Sequence, residues 1–144
     1  LWLSKRCKTK YVFPYLAAQL MAAAAASFLA TIISGSPEVT PLTLNVVPAL
    51  AAEFVFTFAL LYVIISVTRS ANSYFGFAIG LTVLAGILTV GPISGAAFNP
   101  AVALGLSILG LISISEIWIY LVANFFGGLA ATLTLYLVYP KDHS

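Results

Sequence analysis

Long apolar stretches separated by short polar ones run through almost the whole chain. A helix needs about 20 predominantly apolar residues to cross the hydrocarbon core of a bilayer. Four stretches answer to that length: residues 11–33, 47–68, 73–90 and 115–138. The third is short, and tilting or snorkelling flanks would fit it to the same thickness. Between the first two spans lies SGSPEVTPLTLN, whose prolines and hydroxyls mark a loop, and RSANS marks a tight turn before the third. Four crossings put both ends of the chain on the same side of the membrane.

Segment 91–114 breaks this pattern. It includes GPISGAAFNPAVALG, Gly91 to Gly105, which is apolar enough to enter a bilayer yet carries two prolines, an asparagine and three glycines. Proline lacks an N–H and clashes with the preceding turn, so Gly91-Pro92 is expected to stop the third span. Asn99-Pro100 then restarts a helix, since asparagine is a favoured N-cap and proline a favoured first helical residue. From Pro100 to about Leu109 such a helix would be roughly 15 Å long, half the thickness of the hydrocarbon core. The spacing therefore predicts a re-entrant loop and half-helix over about 91–110. Irregular backbone at membrane depth must be buried in protein or line a water-filled cavity. The loop from Gly91 to Phe98 is expected to offer carbonyls to such a cavity, with Gly91 and Gly95 easing its turns. Asn99 is expected to point its amide donors there, beside the positive end of the helix dipole.

Composition sharpens the membrane reading. Of 144 residues, 62% are hydrophobic and only 7% charged, with mean hydropathy +1.10. The net charge of +2 is too small to suggest a nucleic-acid partner. One His (His143, a tail residue), one Cys (Cys7) and four acidic residues leave almost no material for a metal site or a catalytic triad. Enzymes are set aside, with no cofactor expected. Under four crossings all six basic residues sort to one face: Lys5, Arg6, Lys8 and Lys10 before span one, Arg69 before span three and Lys141 after span four. That face is expected to be cytoplasmic, with Glu38 and Glu116 opposite. A fifth full crossing by segment 91–114 would move Lys141 across and weaken the sorting. The chain opens on Leu1 in mid-pattern, and it is expected to be part of something longer. A signal peptide is disfavoured, because its apolar region usually runs about 7 to 15 residues and residues 11–33 exceed that.

An internal repeat supports the organisation. Tyr15-Leu16-Ala17-Ala18-Gln19 recurs as Tyr120-Leu121-Val122-Ala123-Asn124, and at the same offset Ala25, Ala26 and Ser27 recur as Ala130, Ala131 and Thr132. Spans one and four run in opposite directions, so the repeat is inverted in the membrane. Carried back by that offset, Asn99 corresponds to a position before Leu1, which predicts another half-helix there.

SGAAFNPAVALG, preceded by AEFVFTFALLYVI and AIGLTVLAGILTVGPI, resembles the second half of an aquaporin, a major intrinsic protein, and KTKYVFPYLAAQL resembles the approach to that family's third span. The resemblance covers nearly the whole chain. It implies an all-α membrane protein, an aquaporin-like right-handed helical bundle with inverted repeats. The family fold has six spans and two half-helices meeting at paired NPA motifs, usually in homotetramers with one pore per subunit. Residues 1–144 would be a partial channel domain holding spans three to six and the second half-helix. By resemblance Asn99, Pro100 and Ala101 are the second NPA. Glu53 matches an acidic residue of the fourth span that hydrogen-bonds the pore loop. A carboxylate inside an apolar span is a functional candidate in its own right, and a brace for loop N–H groups is the favoured role. Ile87, Ala96 and Val102 match a selectivity filter. The family commonly has arginine at the Val102 position, and its water-selective members often have histidine at the Ile87 position, so a more apolar, less stringent constriction is expected here. NPAV also occurs in the family's first repeat, but that assignment would start the Glu53 span in the cytoplasm, against Arg69 and the basic N-terminal run.

The implied function is a passive channel for water and small neutral solutes in a lipid bilayer, with a glycerol-type facilitator as the alternative. From other classes, a secondary transporter would need more ionisable midplane residues than Glu53, and a non-conducting membrane subunit would need no pore. Gly76, Gly80, Gly127, Gly128 and the run Ala22 to Ala26 are expected to serve close helix packing. Trp2, Trp118, Tyr11 and Tyr139 read as interfacial anchors. Gln19 and Asn124 are expected either to bond between helices or to support pore loops.

Overall fold

The computed structural model describes residues 2, 7–35, 40–69, 71 and 73–139. Expectations resting on Lys5, Arg6, Glu38, Lys141 and His143 concern positions outside these. Five α-helices form: α1 (Thr9–Ser34), α2 (Val46–Val67), α3 (Phe75–Ser94), α4 (Pro100–Ile108) and α5 (Ile117–Val138), the last entered through a short 3₁₀ turn, Ile114–Glu116. There is no strand among the described residues. Four elements, α1, α2, α3 and the turn with α5, are long and apolar enough to cross a membrane. Large apolar side chains such as Phe13, Phe28, Phe77, Leu88 and Leu137 stand exposed along them, an arrangement suited to lipid and costly in water.

One expectation fails at the end of α3. The helix does not stop at Gly91-Pro92 but runs through both to Ser94. Proline this close to a helix end removes one intrahelical bond, and the ladder resumes at once, with the Gly95 N–H donating to the Gly91 carbonyl at 2.8 Å. The true terminator is Gly95, a left-handed C-cap at φ 80°, the conformation that glycine alone adopts without strain. The irregular loop therefore spans Gly95 to Asn99, not Gly91 to Phe98. Restart at Asn99-Pro100 is as expected: Asn99 is the N-cap, Pro100 the first helical residue.

Helix α2 packs most extensively on α5 and also on α3, while α4 lies between α1 and α5. Gly127 explains the closeness of α2 and α5: a Cβ there would lie 2.6 Å from the Phe54 carbonyl oxygen and 3.1 Å from Thr57 Cβ. Gly128 packs more loosely, against Leu61. Gly76 and Gly80 do not meet the packing expectation, since nothing lies within 4 Å of either added Cβ; that face of α3 has no neighbouring helix among the described residues.

Two contacts set the relative directions. The Leu42 N–H, before α2, donates to the Leu111 carbonyl, after α4, at 2.9 Å. At the other end of the bundle the Arg69 guanidinium, beyond α2, sits 3.7 Å from the centroid of the Tyr139 ring, beyond α5. Helices α2 and α5 thus run the same way. Helix α4 begins beside Thr57, near the midpoint of α2, and the chain beyond it returns to the start of α2. Its nine residues span about 14 Å at about 1.5 Å each, so it covers half the bundle's height and turns back to the side it came from.

Candidate functional site

The site is the loop Gly95–Asn99 with the helix that follows. Its backbone is strained. Gly95, Ala96 and Phe98 all have positive φ, at 80°, 53° and 52°, and a non-glycine residue in the left-handed region costs about 1–2 kcal/mol. Such conformations persist where the surroundings over-determine them.

Glu53 supplies most of that determination. It is 0% exposed, and its Oε1 accepts from Ser94 Oγ at 2.8 Å and from the Ala97 N–H at 2.9 Å. Its Oε2 accepts from the Phe98 N–H at 2.7 Å. Ser94 Oγ in turn accepts from the Ala96 N–H at 3.2 Å. One carboxylate and one hydroxyl thus satisfy three successive loop N–H groups, which would otherwise be buried donors without partners. Tyr120, 0% exposed on α5, donates its hydroxyl to the Ser94 carbonyl. Thr57, one turn beyond Glu53 on the same face of α2, has its hydroxyl 3.4 Å from the Phe98 carbonyl. No hydrogen bond among the described residues reaches the carbonyls of Gly95, Ala96 or Ala97. The loop turns its donors inward and keeps three acceptors.

Phe98 is held by its ring as well. The ring stacks on Phe56 with centroids 5.3 Å apart and fills the space where a Gly86 Cβ would lie, at 2.5 Å from its Cε2. Asn99 follows in extended conformation, its Oδ1 accepting from the Ala101 N–H at 2.8 Å. A backbone N–H bonds to the amide oxygen only, so the NH2 end is the one left for a ligand.

Asn99 lines a cavity of about 480 Å³ between α1 and α4, whose walls include Gln19, Ala23 and Ser27 on one side and Asn99, Val102 and Gly105 on the other. Small residues bring these helices together. Ser27 Oγ lies 2.9 Å from the Ala23 carbonyl and 3.0 Å from the Gly105 carbonyl, and Ala22, Ala23 and Ala26 of the alanine run line the groove. Ala101 also borders it. Ile87 and Ala96 do not. Ile87 is exposed on α3, and Ala96 is buried with Ala52, Val90 and Phe98. Val102 faces the groove and is 45% exposed. Gly91 is helical and Gly95 caps α3. Among the described residues no cluster of His, Cys, Asp and Glu could hold a metal ion.

The loop, its carboxylate brace and the half-helix sit in a chain whose residues 1–140 match the profile described as Major intrinsic protein. The chain belongs to the major intrinsic protein family. Proteins of this family are channels and not enzymes. Among curated relatives, Aquaporin NIP1-3 of Oryza sativa subsp. japonica is 38% identical over 135 residues, covering 89% of this chain and 47% of that protein. Aquaporin NIP6-1 of Arabidopsis thaliana is 34% identical over 143 residues, covering 94% of this chain and 47% of that protein. The chain spans about half the length of the curated relatives it matches. No solved structure matches it. As a major intrinsic protein with four helices among the described residues long and apolar enough to cross a membrane, it is a multi-pass integral membrane protein.

Sequence reasoning missed Thr57, Ser94, Phe98, Tyr120 and Gly86. Thr57 had a signal, since it stands four residues after Glu53 on the same helical face. Gly86 and Phe98 had none, because their fit depends on the positive φ at Phe98.

Proposed function

We propose that the protein works as a passive transmembrane channel for water and small neutral solutes, driven by osmotic or concentration gradients and needing no cofactor. The observation that carries this reading is Asn99, which lines an open groove and whose oxygen is committed to the Ala101 N–H, so that its NH2 end is the one left for a ligand. A donor at the N-terminus of α4, joined by the helix dipole, disfavours cations and still offers a hydrogen bond to a neutral solute. The carbonyls of Gly95, Ala96 and Ala97, which carry no hydrogen bond among the described residues, are on this reading the acceptors of the pore loop. On this reading Glu53, with Gly91 and Gly95, supports the loop and does not touch solute. The aquaporin names of the relatives support the same class.

Val102 favours a companion reading, conduction of neutral solutes such as glycerol. An apolar side chain there neither repels cations nor donates a hydrogen bond, so on this reading α4 offers solutes no fixed charge at that position. Assembly as a homotetramer, on family grounds, and Arg69 on the cytoplasmic side, by the sorting of basic residues, complete the proposal. The full-length protein in proteoliposomes tests it by stopped-flow light scattering. Faster osmotic shrinkage than empty vesicles is expected, and equal rates from correctly folded protein sink the water assignment. Parallel uptake of glycerol, urea and ammonia reads out the companion reading.

A further inference from the structure

We propose that Asn124 is a positioning residue for the loop, acting from α5 on the Phe98 carbonyl through the hydroxyl of Thr57. Asn124 is 6% exposed, and one end of its amide lies 2.8 Å from Thr57 Oγ1. Thr57 Oγ1 is also 3.4 Å from the Phe98 carbonyl oxygen. A hydroxyl has one proton, so it cannot donate fully to both an Asn124 oxygen and the Phe98 carbonyl. With the Asn124 oxygen facing Thr57, the buried Nδ2 has no partner. Buried donors left bare are rarer in proteins than buried oxygens with a spare lone pair. The two ends of the amide are nearly isosteric, and the hydrogen-bond inventory decides between them. Turning the amide over lets Nδ2 donate to Thr57 Oγ1, and the Thr57 proton then has one acceptor, the Phe98 carbonyl. The result is a directed chain, Asn124 N–H to Thr57 O–H to Phe98 C=O, each member strengthening the next.

The chain completes the hold on Phe98. Glu53 takes its N–H, Gly86 and Phe56 take its ring, and Thr57 takes its carbonyl. Because Asn99 follows directly, the orientation of its amide is set by a peptide plane that α5 fixes through α2. The geometry is independent of what the protein conducts, whereas its consequence for permeation rests on the channel reading.

Phe98-Asn99 is the one Phe-Asn peptide in the chain. In full-length protein labelled with carbonyl-¹³C phenylalanine and ¹⁵N asparagine, solid-state NMR in bilayers selects Phe-Asn peptides, and the signal that disappears in Phe98→Leu is the Phe98 carbonyl. Thr57→Val and Asn124→Leu are both expected to move that resonance upfield, toward a weaker hydrogen bond. Thr57→Ser, which keeps the hydroxyl, should leave it in place, and the double variant should add little to either single one. Asn124→Asp, close in shape but acceptor-only, is a second probe if Asn124→Leu fails to fold, and it should move the resonance the same way. A Phe98 resonance that shifts in Thr57→Val but stays put in the Asn124 variants overturns the proposal. Water permeability per folded channel should fall severalfold in the two disruptive variants and recover in Thr57→Ser. If the resonances shift as expected while wild-type vesicles shrink no faster than empty ones, the positioning stands and the channel reading fails.

Discussion

At the scale of single residues, the loop is held by a few groups whose removal has distinct signatures. Glu53 accepts three hydrogen bonds through two oxygens. Glu53→Gln keeps the shape but replaces one oxygen with a donor, which faces either the Phe98 N–H or the pair from Ser94 and Ala97. At least one buried N–H then loses its acceptor, at a cost of about 1–3 kcal/mol. The expected outcome is a lower thermal unfolding midpoint in detergent and reduced water permeability, and a Glu53→Gln protein equal to wild type in both would remove the brace. Gly86→Ala tests the other side of the loop. Its Cβ would meet the Phe98 ring at 2.5 Å and Phe56 Cδ1 at 2.9 Å, and overpacking of this kind costs about 1–3 kcal/mol. Phe98→Leu in the same chain should restore part of that loss, because it vacates the space; thermal midpoints of the single and double variants measure the recovery. Glu53 was legible in the sequence because a carboxylate in an apolar span is conspicuous. Its partners were not, since they meet it only once Ala96 and Phe98 take up positive φ, and no side chain announces that conformation.

At the scale of elements, the question is what ends one helix and begins the next. Asn99-Pro100 was readable because capping and a fixed proline φ act locally. The end of α3 was misread because proline's penalty depends on where in the helix it falls. At Pro92 the ladder has only one more turn to run, and the glycine three residues later decides where it stops. Pro92→Ala is therefore expected to leave the α3 boundary and the folded stability nearly unchanged. Gly95→Ala should be the damaging change. Its added Cβ meets nothing nearer than 3.5 Å, so the cost is conformational, about 1–2 kcal/mol for a left-handed alanine. Denaturation midpoints of the two variants rank the two residues, and a larger loss at Pro92 than at Gly95 would restore proline as the terminator. Close approach of α1 to α4 was legible only as a thin alanine face. Its partner Gly105 could be named only in three dimensions, because the two helices lie far apart in sequence.

At the scale of the whole molecule, the crossing count and the re-entrant segment stand or fall together. Leu42 meets Leu111 at one end of the bundle, Arg69 covers Tyr139 at the other, and α4 runs from the middle of α2 back toward its start. The short restarted helix after Asn99-Pro100 pointed to this topology and the charge pattern agreed, since a fifth crossing spoils the sorting of basic residues. What it could not supply was depth: the loop's place beside Thr57 follows from contacts between helices distant in sequence. Three exposed positions, Thr43, Ser73 and Ser115, turn the topology into a labelling experiment. In a cysteine-free background with Cys7→Ser, each is replaced by cysteine in turn and treated with a membrane-impermeant maleimide on sealed, right-side-out vesicles. Thr43→Cys and Ser115→Cys are expected to react from outside, and Ser73→Cys only after the vesicles are opened, as the positive-inside rule requires for the side carrying Arg69. If segment 91–114 crossed the membrane completely, Ser115→Cys would join Ser73→Cys inside while Thr43→Cys still reacted outside. Reversal of all three would keep the half-helix and overturn only the orientation, so the pattern of the three sites separates the two claims.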